Sequence, residues 1–238
     1  MKAVILAAGK GERLKPLTYA IPKPLLPVAG RPVIDYVIDN LLTCPEIDTI
    51  YVAVSHMQEM IKSYLEHTPR DSVKIEPVMT LAWDTGGDLR SIAVEKDIRG
   101  QVVVAYGDNV TNINVNSLVN FHRKAGAGGT VALFNVPASE ASRFGIAIMD
   151  GDRVKKFVEK PSSPLKSNLA NAGYYVLERE EIEQIPQRKV KVEESIFPRL
   201  AEQGRLAGYI YKPKYWLDIG TLESYKKANQ MMFGILPP

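Results

Sequence analysis

Cysteine is nearly absent. Cys44 stands alone, so no disulfide can form within the chain. A cytoplasmic, reducing setting is the expectation, and Cys44, closing an apolar helical pattern, reads as core. Histidine is scarce as well: His56, His67 and His122 are scattered without the spacing of a zinc site. No apolar run approaches the ~18 residues of a membrane span. The N-terminus opens straight into a strand-like run, with no separate apolar segment and cleavage site, so neither a membrane anchor nor a signal peptide is expected. Charge of one sign is not in excess. A formal net charge of +3 makes no case for nucleic acid and is compatible with a small anionic substrate. Gly/Ser-rich and low-complexity tracts are missing too, which argues for one domain. With 238 residues, 45% apolar and 24% charged, the chain can bury a large core.

What is present is a regular alternation. Ala3-Val4-Ile5-Leu6 predicts a strand. Pro32 takes the favoured first position of a helix, with Val33, Ile34, Val37, Ile38, Leu41 and Leu42 as its apolar stripe and Pro45 as its stop. Residues 49–54 predict a strand. Ser55-His56-Met57-Gln58 has the form of a capping box for a helix to about His67. A strand over 73–78 follows, and then Thr85-Gly86-Gly87-Asp88, a small-residue turn into a helix over 89–95. Residues 101–106 are a continuous apolar run, as a strand buried on both faces should be. A helix over 116–125 and a strand over 130–136 complete a βαβαβαβαβ order, which predicts a doubly wound α/β sheet.

The second half changes character. Strands over 144–149 and 153–158 flank Asp150-Gly151-Asp152, a hairpin signal. A strand over 171–177, helices over 193–203 and 221–233, and a strand over 206–211 follow. The expected fold is α/β: a Rossmann-like mixed sheet with a smaller antiparallel lobe. It forms a single domain over residues 1–238, with lobes over about 1–137 and 138–238.

Leu6-Ala7-Ala8-Gly9-Lys10-Gly11-Glu12-Arg13-Leu14-Lys15-Pro16 follows the first strand. Its small residues leave backbone N–H groups uncovered, a suitable cradle for phosphate. Arg13, Lys15 and Lys23 add fixed positive charge. The plain alternative is a strand-to-helix turn in which glycine only permits the backbone angles. A dinucleotide fingerprint is a poor match, because Leu14 stands where a small residue is needed and residues 51–55 offer no acid. An ATPase phosphate loop is a poor match too, for want of Ser or Thr after Gly-Lys.

The run from Leu6 through Arg13 to Pro22-Lys23-Pro24-Leu25-Leu26-Pro27 resembles the signature of sugar-1-phosphate nucleotidylyltransferases. That family joins a nucleoside triphosphate to a sugar 1-phosphate, giving a nucleotide sugar and pyrophosphate. Later stretches match as well, so the resemblance covers nearly the whole chain. It implies that Leu6, Ala7, Ala8, Gly9 and Gly11 cradle the nucleotide and that Thr85, Gly86 and Gly87 lie against the base. Gly107-Asp108 and Trp216-Leu217-Asp218-Ile219-Gly220-Thr221 resemble the two metal motifs, with Asp108 and Asp218 sharing one Mg²⁺. Asn109, Gly145, Glu159, Lys160, Asn171 and Gly173 fall on the sugar-phosphate side: Glu159 accepts hydroxyls, Lys160 holds phosphate, and Asn171-Ala172-Gly173 touches the sugar. Arg13 would hold the leaving pyrophosphate and Lys23 would bridge the reacting phosphates.

The residues alone leave blander readings open. Asp108 fits a turn or a cap, Asp218 fits a cap for the helix starting near Thr221, and Glu159-Lys160 fits a solvated pair. Lys189 and Lys191 could reach a phosphate. Base identity stays open. Relatives using thymidine or uridine triphosphate commonly carry a Gln shortly before the base turn, where this chain has Leu81-Ala82-Trp83-Asp84; yet Gly107-Asp108-Asn109 is similar to the thymidylyl branch. The candidate reactions are glucose-1-phosphate thymidylyl or uridylyl transfer and mannose-1-phosphate guanylyl transfer. Rivals are a cytidylyltransferase for a non-sugar phosphate such as phosphocholine, a catalytically silent nucleotide-sensing subunit, and a nicotinamide oxidoreductase. Many relatives carry an added left-handed β-helix. None is visible here, so no second, acyltransferase-like activity is expected. The family is often oligomeric, which makes a homo-oligomer one of the expectations.

Overall fold

The structure is a computed structural model describing residues 1–235. In chain order it contains β1 (Lys2–Leu6), β2 (Pro27–Val28), β3 (Arg31–Pro32), α1 (Val33–Leu42), β4 (Thr49–Val54), α2 (Gln58–His67), β5 (Lys74–Met79) and α3 (Asp84–Glu95). Next come β6 (Gln101–Tyr106), β7 (Asn109–Thr111), α4 (Val115–Ala125), β8 (Gly129–Asn135), β9 (Gly145–Asp150), β10 (Arg153–Glu159) and β11 (Leu169–Glu178). The chain continues through α5 (Arg179–Glu183), α6 (Val192–Glu202), β12 (Leu206–Ile210), β13 (Trp216–Asp218) and α7 (Leu222–Phe233).

Nine strands form one mixed sheet in the order β5-β4-β1-β6-β11-β8-β12-β10-β9. The apolar runs of β1 and β6 follow from being covered on both faces. Ala3 and Ile5 point to a core shared with α1, α2 and α4, while Val4 points to one shared with α3 and α6. The same period of two places Val103 and Ala105 on one side of β6 and Val102 and Val104 on the other. A third, smaller core joins Leu14, Leu26, Val28 and Val33 to Leu217, Ala228 and Met232. It ties the C-terminal helix to the segment that carries Arg13 and Lys23.

The α/β class and the mixed sheet match the expectation, but the two halves interlock. β11 lies between β6 and β8, and β8 pairs on its other side with β12. The expected lobe boundary near residue 137 therefore marks no break in the sheet. Three local expectations also differ. Pro32 is the N-cap of α1, in extended backbone, and not its first helical residue. Ser55 caps nothing: α2 begins at Gln58 behind Met57, which is left-handed at φ 52° and makes no side-chain cap bond. Thr85-Gly86-Gly87 is the first turn of α3, not a turn before it. These glycines serve close packing. A Cβ on Gly86 would lie 2.8 Å from the Val190 carbonyl oxygen, and one on Gly87 would lie 2.7 Å from that of Arg188.

Candidate active site

The site lies at the carboxyl ends of the parallel strands, where open α/β sheets place ligands. β1 ends in the glycine loop. Gly11 adopts φ 65°, and a Cβ there would sit 2.8 Å from Thr18 Cγ2. Thr18 Oγ1 donates to the Gly11 carbonyl (2.9 Å), and so does the Leu14 N–H (2.9 Å), which fixes the loop from below. Among the described residues the N–H groups of Ala8, Gly9, Lys10 and Gly11 donate to no protein acceptor, as an anion cradle requires.

Asp108 follows β6 in the turn to β7, and its carboxylate pairs with the Lys23 ammonium. Residues remote in the chain then meet through a short ladder: β13 runs antiparallel to β7 with Asp218 opposite Asn109, and the Ile219 N–H reaches the Asp108 carbonyl at 3.4 Å. Asp218 accepts from the Gly220 N–H and faces Arg143 Nη2 at 3.4 Å. It does not cap α7; that task belongs to Thr221, in a reciprocal box with Ser224. A Cβ on Gly220 would fall 3.2 Å from Arg13 Nη2, so the guanidinium lies against this same turn.

Three adjoining chambers share Arg13 and Asp108. The first, about 210 Å³, holds Leu6, Ala7, Gly9, Gly11 and Lys23. The second, about 410 Å³, holds Leu6, Ala8, Gly9, Asp84, Thr85, Asp88 and Tyr106. The third, about 500 Å³, holds Asn109, Arg143, Gly145, Glu159, Lys160, Asn171, Lys191, Glu193 and Asp218. The residues given a ligand role in the sequence line one of them, except Gly86, Gly87, Ala172 and Gly173 and the lysines Lys15, which pairs with Glu12, and Lys189. Gly86 and Gly87 lie behind the wall, their N–H groups taken by the Val190 carbonyl at 2.9 and 3.2 Å. Gly173 lies beneath the third chamber at φ 78°, where a Cβ would overlap Asn109 Nδ2.

The third chamber is rich in oriented polar groups. Asn171 Oδ1 accepts the Gly173 N–H (2.9 Å), which leaves its amide nitrogen as the available donor. Asn109 Nδ2 and Trp216 Nε1 both donate to the Ala172 carbonyl at 3.1 Å and hold the irregular stretch of β11 in place. Trp216 stacks on Phe134 with ring centroids 4.6 Å apart, and Phe144 meets Trp216 edge-on at 5.4 Å, forming an aromatic wall. Lys160 reaches Glu159 only at 3.5 Å and is largely in water. Glu193, which sequence reasoning missed, is buried and accepts from Thr85 Oγ1 at 2.9 Å, bridging the second and third chambers. Burial pushes its carboxyl above the ordinary value. Arg143, Asp84 and Asp88 were also missed; each is a common residue with no local pattern to mark it.

Asp108 and Asp218 suit a hard divalent cation. Both are oxygen donors beside the glycine loop, and both face cations, so the pocket already balances negative charge with positive. Among the described residues no group of three or more His, Cys, Asp or Glu could hold a metal without a ligand's help, and phosphate oxygens would complete the shell. No helix among these residues is long and apolar enough to cross a membrane.

Three joined chambers beside a glycine loop, at the carboxyl ends of a sheet of this order, define an α/β protein with a ligand cleft at its strand ends. The chain belongs to the nucleotidyl transferase family, whose model matches residues 2–233. It is 33% identical over 242 residues to a mannose-1-phosphate guanylyltransferase of Mycobacterium tuberculosis, covering 99% of this chain and 66% of that protein. It is 32% identical over 242 residues to a UTP–glucose-1-phosphate uridylyltransferase of Synechocystis, covering 96% of this chain and 62% of that one. The chain thus spans roughly three-fifths to two-thirds of these relatives' length. Among solved structures, a Bacillus anthracis protein in complex with a sucrose superimposes with a TM-score of 0.84 at 26% identity, covering 100% of this chain and 97% of that one.

Proposed function

We propose that the chain transfers a nucleotidyl group from a nucleoside triphosphate to a sugar 1-phosphate and releases pyrophosphate. The observation that carries this reading is the sharing of Arg13 and Asp108 by all three chambers. A ligand in any one of them meets the same cation and the same carboxylate, so a triphosphate and a second phosphate ester would converge there.

The free N–H groups of Gly9 to Gly11 hold the outer phosphates, and Arg13 takes the charge that builds on departing pyrophosphate. Lys23 stands between the α-phosphate and the incoming phosphate oxygen. That oxygen is already an anion, so attack on the α-phosphorus needs no general base. Asn171 and Glu159 orient hydroxyls against the aromatic wall, and the reaction gains chiefly from placement. When bound, Mg²⁺ held by Asp108 and Asp218 supplies charge neutralisation at the reacting phosphates.

The test is pyrophosphate release from each of five nucleoside triphosphates paired with glucose, mannose, galactose, N-acetylglucosamine or N-acetylmuramic acid 1-phosphate. Each pair is run with Mg²⁺ and with chelator. Release that requires both substrates and the metal is expected. Tight nucleotide binding without release from any pair would instead point to a sensing subunit or a non-sugar phosphate acceptor.

A further inference from the structure

We propose that the second chamber selects guanine, with the Asp84 carboxylate accepting the N1–H and the 2-amino N–H of the base. This rests on the reading of the site as a nucleotide site. Arg13 and Asp108 belong to all three chambers, but Asp84 and Asp88 line the second alone. An anionic ligand whose phosphates lie at the Gly9–Arg13 end therefore meets two further carboxylates at the other. That favours a ligand presenting hydrogen-bond donors at that end, from base N–H or ribose O–H groups, because an ionised carboxylate can only accept.

The two acids differ in availability. Asp88 is buried, and its Oδ1 accepts the Trp83 N–H at 2.8 Å. It is a positioning residue for the segment 82–84. Asp84 makes no side-chain hydrogen bond or ion pair among the described residues, so its carboxylate is unspent. The backbone of this segment is held in an uncommon shape: Ala82 and Asp84 are left-handed at φ 53° and 57° without being glycine. Immediately after it, the Gly86 and Gly87 N–H groups lock α3 to the Val190 carbonyl. A strained segment pinned at Trp83 and again just after Asp84, with a free acceptor on the chamber wall, is built to hold that acceptor still.

Base chemistry then decides. Uracil and thymine flank their one ring N–H with two carbonyl oxygens, which a carboxylate repels. Cytosine and adenine set their amino group beside a ring acceptor. Guanine places two donors side by side at the spacing of two carboxylate oxygens, and such bidentate, charge-assisted pairs are the strong ones. A site built to bond a donor also rejects ligands lacking it, since its own group is then left unpaired.

Equilibrium binding tests this without requiring turnover. The probes are GTP, inosine triphosphate, ATP, UTP and xanthosine triphosphate with Mg²⁺, against the whole chain and against Asp84→Asn and Asp84→Ala. The parent should bind GTP about tenfold or more tightly than inosine triphosphate, which lacks the 2-amino group, and about a hundredfold more tightly than UTP. Both variants should lose the gap between GTP and inosine triphosphate. Asp84→Asn alone should gain xanthosine triphosphate, whose 2-carbonyl meets the new amide N–H; a merely structural role would not produce that exchange. Preference for UTP, or a gap that survives both substitutions, would overturn the assignment. Pyrophosphate release separates the two readings. Guanine-selective binding without transfer to any sugar 1-phosphate overturns the proposed reaction and leaves the base assignment standing, whereas transfer from UTP does the reverse. Binding of no nucleotide overturns both.

Discussion

Asp108 faces Lys23 and Asp218 faces Arg143, so each carboxylate at the centre of the site already has a cation beside it. Replacing Asp108 with Asn keeps the shape and removes the charge. Turnover should fall by more than about a hundredfold, the scale of a preorganised electrostatic group. The melting temperature should stay near the parent value, because Asp108 is a third exposed and partly solvated pairs contribute little to stability. Retained turnover would remove Asp108 from the metal and phosphate chemistry. His122 has the opposite character, stability without catalysis. It is buried between Thr130 Oγ1 (2.8 Å) and Glu178 (3.1 Å), and burial pushes its imidazole below the ordinary value against the pull of Glu178. Unfolding exposes it to an ordinary value of about 6.5. The unfolded chain then binds the extra proton, so stability is complete above that pH and falls as pH drops below it. Thermal melts from neutral to mildly acidic pH should show this slope, and His122→Gln should flatten it. An unchanged slope would assign the effect to another group.

At the scale of elements, the α3–α6 junction couples the chambers. Thr85 Oγ1 donates to Glu193 and accepts the Val192 N–H at 3.0 Å, joining the first turns of the two helices. Thr85→Val keeps the volume and strands both groups, which should cost about 1–3 kcal/mol. Urea unfolding should show a lower midpoint at unchanged slope, with Thr85→Ser near the parent. A variant as stable as the parent would mean that water replaces the hydroxyl. This junction also marks where sequence reading stopped. The strand-helix alternation was legible because apolar period and length are local, as was the loop of Gly9, Gly11, Arg13 and Lys23, whose signal lies in one stretch. The role of Gly86 and Gly87 was not. Two adjacent glycines look like a turn, and only the arrival of residues 188–191 makes them a packing contact inside a helix. The three-residue ladder of β7 and β13, which brings Asp218 to Asn109, is likewise too short to announce itself and depends on distant pairing. Glu193 sits in an ordinary helix start, and only folding buries it beside Thr85.

At the scale of the molecule, the strand order bears directly on whether the halves can exist apart. β11 supplies the partner for the open edge of β6 and for one edge of β8, while β12, from later still in the chain, fills the other edge of β8. The third core buries Leu14 and Leu26 under Ala228 and Met232, so the segment carrying Arg13 and Lys23 also depends on the last helix. A fragment ending near residue 137 would carry β6 and β8 with unpaired edges and one face of its N-terminal segment bare, features that promote aggregation. The whole chain should therefore unfold in one cooperative step. Its two tryptophans, Trp83 and Trp216, sit in opposite halves of the sequence, so single-tryptophan variants can report each half separately. Their fluorescence transitions in urea should coincide with each other and with the loss of far-ultraviolet circular dichroism, and a chain expressed as residues 1–137 should be insoluble or unfolded. Two separated transitions, or a soluble and cooperatively folding first half, would show that the shared sheet does not bind the halves into one unit. Arg13 and Lys23 could then be positioned without the C-terminal elements that here pack beneath them.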